Sequence, residues 1–445
     1  MKKLMLCHYY HIILLILQKI LIMKKSFNLI SVMAITLGLL SCSDDNQSDN
    51  SYDRIDVELT RNETVIAGNQ YQLPVDLLIS AYNTDYNQNA IISPLSTTMV
   101  LAMLTNAAEP SDREEMLEVL NLTATELDDY NDFAAKLITI LPSLDPFSIL
   151  NINNGFWYSK SAKLSESYKD ILNVSYSASI NNFDTFNREV LENINSWVNT
   201  KTSGGIPEIL NESDLNLKLE CLWLNALYFK GVWRQKFEDT EKMPFYSSYP
   251  DKSNPAMVDM MKGHRFRYAF AFNPEGKNDS SNEIITAMLP YGNESFIFTA
   301  VLPPANNPDI ITTLKALTPD YWEQADKISA ETKEKGHYTV YLPKMSIKKT
   351  TNLIPVLKDL GVNKMFNSFS MATNLGLSDQ IIGIFRQNVV FDVDEEGSEI
   401  KVATVAGDMY GAVLDQGMCF NRPFIYFVRE RSTGTVLLAG VYSKP

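Results

Sequence analysis

Near the C-terminus an apolar stretch, Gln387 to Val393, runs into Asp394-Glu395-Glu396-Gly397. More than twenty residues then pass before the next apolar strand opens at Pro423-Phe424-Ile425. A connection that long inside a compact domain is uncommon and usually functional. Its first half keeps a strand's two-residue period. Ser398, Ile400, Val402 and Thr404 form an uncharged, mostly apolar set, whereas Glu399, Lys401 and Ala403 face the other way. A loop with strand alternation can leave one place and insert into another.

The length of 445 residues suggests about three domains. Yet no Pro/Gly/Ser-rich linker or charge block divides the chain after residue 55, so residues 55–445 read as one layered body. The formal charge of -14 argues against nucleic acid, whose phosphates would repel it.

The first 41 residues read as a targeting leader. Ile12 to Ile22 and Phe27 to Leu40 are apolar, and Met23-Lys24-Lys25 gives the second stretch the basic start of an export signal. Met23 is therefore the expected true start. Leu39-Leu40-Ser41-Cys42 resembles a bacterial lipobox, which implies lipidation of Cys42, with residues 42–54 as a flexible tether. The expected location is the outer membrane. The acidic residues after Cys42 point to the cell surface, as in some Gram-negative lipoproteins. The leader carries five lysines and no acid, so its removal takes the formal charge from -14 to -19.

Cys221 and Cys419 lie in apolar strand-like runs without metal spacing, which leaves free thiols or one disulfide open. His264 and His337 have no paired ligand, so neither a metal nor a cofactor is expected. Ser346-Ile347-Lys348-Lys349 fits S-x-x-K and Tyr291-Gly292-Asn293 fits Y-x-N, the short patterns of penicillin-binding acyl-transfer enzymes. Their order is reversed and no K-T-G follows. An enzyme is therefore the weaker reading.

Several ordered segments resemble one family, the serpins, inhibitors that trap proteases by inserting a loop into a sheet. Asn89 to Ser96 resembles the family's entry into a helix, with Ser93 as N-cap and Pro94 first. Asn195-Ser196-Trp197-Val198 and Thr202-Ser203-Gly204-Gly205-Ile206 match a second signature, although lysine is usual at Gly205. Cys221 to Trp233 reads as a strand buried on both faces. Leu342-Pro343-Lys344-Met345 and Arg422-Pro423-Phe424 match further along.

The resemblance implies an α+β serpin fold, with three β-sheets, eight or nine helices and an exposed reactive-centre loop beginning at Gly397. Glu395, Glu396, Gly397, Ser398, Glu399, Ile400, Lys401, Val402, Ala403 and Thr404 would form its hinge, with Gly397 as the pivot. Ser93, Ser96, Asn225 and Gln387 would form the region that opens, with glutamine where many members have histidine. Trp233 would mark where insertion begins.

The cleaved bond falls near Gly411-Ala412 counted from Gly397, or at Ala412-Val413 counted back from Pro423. Small residues there suit elastase-like serine proteases, and cleavage at Tyr410 would suit chymotrypsin- or subtilisin-like ones. Cysteine proteases are a second implied class. No Arg or Lys occurs between Lys401 and Arg422, which disfavours trypsin-like targets. A monomeric suicide-substrate inhibitor is expected. Ile400-Lys401-Val402, where inhibitory members usually carry alanines, keeps a non-inhibitory serpin as the alternative.

Overall fold

The structure is a computed structural model that describes residues 53–69, 71–274, 280–331, 338–399 and 417–445. Cys42 and the leader lie outside the described residues, as do Ile400, Lys401, Val402, Ala403, Thr404, Tyr410, Gly411, Ala412 and Val413. Ser51–Pro445 forms one compact unit. Among the described residues, no helix is long and apolar enough to cross a membrane.

A six-stranded sheet is built on β2 (Ser148–Ser159), β3 (Ser179–Phe183) and β4 (Cys221–Val232) on one side. The other side carries β11 (Met345–Asn352) and β14 (Arg386–Val393), and β15 (Gly397–Glu399) lies between β14 and β4. β2 and β4 pair antiparallel from Ser148↔Gly231 to Tyr158↔Cys221. β11 and β14 pair along their whole length, from Met345↔Val393 to Asn352↔Arg386.

A second six-stranded sheet contains β1 (Ala90–Ile92), β7 (Tyr268–Phe272), β8 (Ile284–Pro290), β9 (Phe296–Leu302), β17 (Phe424–Glu430) and β18 (Val436–Tyr442). The third sheet joins β5 (Asp239–Phe245), β6 (Ala256–Phe266), β10 (Tyr338–Pro343) and the short β16 (Met418–Cys419). A small hairpin, β12 (Phe369–Met371) with β13 (Leu377–Gln380), adds a fourth pairing. Eleven α-helical segments occur among the described residues, against the eight or nine expected. The surplus comes from short turns such as Glu114–Val119 and Ala372–Leu375, too brief to show a helical period.

The strands' faces divide the interior. Odd-numbered β4 residues such as Trp223 and Leu227 join the main core between the two large sheets. Leu222 and Leu224 face a second cluster beneath the helix Arg188–Lys201, whose Leu191, Ile194 and Val198 pack there. Trp197 of that helix meets Trp157 edge-on, with ring centroids 5.1 Å apart, a geometry worth about 1 kcal/mol beyond buried area. The helix Pro94–Ala107 is buried around nearly its whole circumference. Helices apolar on every side belong in the core.

Candidate functional site: the hinge and the open cleft of the central sheet

β14 ends in a tight turn built by Asp394. Its carboxylate accepts the backbone N–H groups of Glu396 (2.9 Å) and Gly397 (3.1 Å), and its own N–H donates to the Gly397 carbonyl. The chain therefore reverses at once into β15. Gly397 pairs with Val232 of β4, and Ser398 pairs with Gly231 on one side and Val393 on the other. This corrects the expectation of an exposed loop beginning at a flexible Gly397. Gly397 and Ser398 are buried within the sheet. A Cβ at Gly397 would lie 2.0 Å from the Gly231 carbonyl oxygen, so only glycine fits between the strands.

Aromatic and polar contacts hold this turn. Trp233 donates its indole N–H to the Asp394 carbonyl (2.8 Å) and its backbone N–H to the Glu396 carbonyl. Tyr291 stacks on Trp233 with centroids 4.5 Å apart and places its hydroxyl 2.6 Å from Ser398 Oγ. Burial pushes the Tyr291 hydroxyl well above its ordinary value, so it stays protonated. Glu395 pairs with Lys344 at 2.8 Å and accepts from Thr240, and Glu396 pairs with Lys236. Burial pushes the Glu395 carboxyl up, but the bonds from Lys344 and Thr240 outweigh it and hold the pKa below the ordinary 4.5.

Below β15 no ladder joins β14 to β4 among the described residues. A cleft lies between them instead, lined by β4 from Cys221 to Phe229 and β14 from Arg386 to Phe391, with Ser93 and Ser96 beneath. Ser93 caps its helix by accepting from Ser96 N–H at 3.3 Å, and its hydroxyl lies 3.0 Å from Ser96 Oγ. Gln387 clasps both backbone groups of Ser93. Its Oε1 accepts the Ser93 N–H at 2.6 Å and its Nε2 donates to the Ser93 carbonyl at 3.1 Å. That clasp is an amide and does not titrate.

Asn225 is not brought onto this network. It reaches sideways to the neighbouring strand β2, donating to Asn154 Oδ1 at 2.8 Å, and its own Oδ1 is buried without a hydrogen-bond partner. An unmatched buried acceptor is uncommon and calls for a reason.

Sequence reasoning missed Tyr291 as a hinge contact, although a tyrosine ending an apolar strand beside Gly-Asn was available as a signal. It also missed the connection that crosses the outer face. There Asp214 pairs with Arg386 of β14, and Asn388 donates to the Glu208 carbonyl at 2.8 Å. Of the acyl-transfer candidates, Ser346 is exposed on β11, whereas Lys349 points away to Asp85 at 2.9 Å. Cys221 and Cys419 are free thiols on different sheets, and burial pushes Cys419 up to about 11.

The geometry and the relatives agree. Human neuroserpin is 25% identical over 83% of this chain and 90% of its own length. The leukocyte elastase inhibitor of Xenopus tropicalis is 26% identical over 83% and 97%. Among solved structures, the thermophilic serpin tengpin in its native state superposes with a TM-score of 0.70 at 21% identity, covering 88% of this chain and 96% of tengpin. Thyroxine-binding globulin in complex with thyroxine gives 0.72 at 20% identity, over 86% and 99%. These structural matches concern the fold. The family model described as serpin (serine protease inhibitor) spans residues 69–445, and the chain belongs to that family, which is not one of enzymes.

Proposed function

We propose that this protein is an inhibitory serpin, a suicide substrate for elastase-, chymotrypsin- or subtilisin-like serine proteases, held at the outer membrane by lipid on Cys42. The observation that carries the inhibitory reading is a hinge already paired between β14 and β4 above an open cleft. Continuing that register sets Ile400 between Phe391 and Phe229, Val402 between Val389 and Leu227, and Thr404 between Gln387 and Asn225. Apolar positions then meet apolar ones. The Thr404 hydroxyl would reach the unmatched Asn225 Oδ1. On insertion, the bulk of Ile400 and Val402 would meet a slot whose rungs are also apolar.

The protease supplies the chemistry. Its serine attacks a bond near Gly411-Ala412, the amine on the C-terminal side leaves, and an ester joins the protease to the upstream segment. That segment then adds to the sheet as a strand with partners on both edges; serpin loop insertion is a standing example of strand addition. About fourteen extended residues span roughly 45 Å. A protease still joined by its ester is carried that far from its docking point.

The deciding experiment incubates the chain from Ser51 with elastase, chymotrypsin, subtilisin and trypsin, followed by denaturing gels. A band at the summed mass that survives boiling supports the trap, and sequencing the released fragment locates the bond. Cleavage without such a band supports a non-inhibitory serpin. Incorporation of labelled palmitate that is lost in Cys42→Ala tests the anchor.

A further inference from the structure

The chain enters the described structure through an extended segment, residues 53–58, that precedes the residues matched by the family model. This segment is stitched to the turn that follows Tyr291. Asn293 Nδ2 donates to the Asp53 carbonyl at 3.3 Å. The Ile55 N–H donates to Ser295 Oγ at 3.3 Å, and that hydroxyl lies 3.1 Å from the Ile55 carbonyl. Farther along, the Val57 N–H donates to Ser432 Oγ at 2.8 Å. Ile55 itself is half exposed, so apolar burial does not explain its placement.

The turn gripped in this way is fully buried at Asn293 and Ser295. Asn293 also donates to the Leu144 carbonyl at 2.7 Å, and its N–H meets Asp145 Oδ1 at 3.2 Å. Gly292, at φ +36°, donates to the Val232 carbonyl, one residue from the strand position that pairs with Gly397's neighbour. Tyr291 then carries the hydroxyl that meets Ser398. Hydrogen bonds at the two ends of the 291–295 turn, joined by its backbone, therefore link the N-terminal segment to Ser398 of the hinge.

We propose that residues 53–58 are a strap that holds the hinge in place, with Asn293 and Ser295 as positioning residues acting through Tyr291. Loosening the strap frees the 291–295 turn and lowers retention of Ser398 between β14 and β4. Tension or proteolysis on the N-terminal side of the body is thereby coupled to the loop.

The test is hydrogen exchange of the full chain, read by mass spectrometry without any protease target, so it succeeds or fails independently of the inhibitory reading. Ile55→Pro removes the N–H that reaches Ser295 without altering the turn, and Ile55→Val retains it. The expected result for Ile55→Pro is about tenfold faster exchange in the Gly397–Glu399 peptide, the effect of losing roughly one net hydrogen bond's stabilisation. Exchange in β17 and β18 stays unchanged, and Ile55→Val behaves as the parent. Ser295→Ala, from the turn side, gives the same selective increase, and Ser295→Thr restores protection. Unchanged hinge exchange in both Ile55→Pro and Ser295→Ala overturns the proposal. A uniform rise across all strands also overturns it, because the segment would then be a general stabiliser.

Discussion

At the scale of single residues, the hinge depends on what is missing from Gly397 and what is present on Tyr291. Gly397→Ala would drive a Cβ into the Gly231 carbonyl oxygen. Such overpacking costs about 1–3 kcal/mol, and the expected outcome is expulsion of β15, seen as loss of exchange protection at Gly397–Glu399. Tyr291→Phe keeps the ring stacked on Trp233 but strands Ser398 Oγ in a buried site. Its expected cost to hinge retention is about 1–3 kcal/mol. A proteolysis assay on the loop, with protease too dilute to saturate, should report faster nicking. Ser93 and Pro94 were legible from residue type, since a hydroxyl followed by proline marks a helix start. The Tyr291–Ser398 contact was not, because it joins residues 107 apart in sequence.

Among elements, the turn between β14 and β15 carries the charge. Glu395 has a folded-state pKa below 4.5, so its contribution to hinge retention is fully present above that value. The contribution is lost as pH falls through the depressed folded value. Hinge protection, corrected for the intrinsic exchange rate at each pH, should therefore be flat from pH 5 to 8 and fall only in more acidic solution. Gln387 supports the same expectation, since the clasp on Ser93 has no group that titrates there. On the outer face, Arg386→Ala would leave the Asp214 carboxylate, itself 6% exposed, without its cation. Removing one partner of a buried pair costs about 3 kcal/mol, which a lowered urea midpoint with unchanged slope would show.

For the whole molecule, the open cleft leaves the central sheet with two unpaired inner edges among the described residues, and its filling adds backbone bonds and buried area. On the inhibitory reading, persistence of the uncleaved form would be kinetic. Cleavage within 410–413 should raise the midpoint of thermal unfolding by more than about 10 °C. A cleaved chain that melts with the intact one would show that Ile400 and Val402 do not enter the slot.

The residue order alone was enough for the two-residue alternation after Gly397, the capped helix entry at Ser93 and the family. The first two are local, read from residue type and period within a few turns of chain, and the family came from the common order of short segments along it. That Gly397 and Ser398 already lie inside the sheet, that Gln387 holds Ser93 while Asn225 faces Asn154, and that residues 53–58 grip the turn behind Tyr291 emerged only with the folded chain. Those facts depend on the spacing of strands far apart in sequence. A two-residue period tells which side chains share a face but not where along a neighbouring strand the pairing begins.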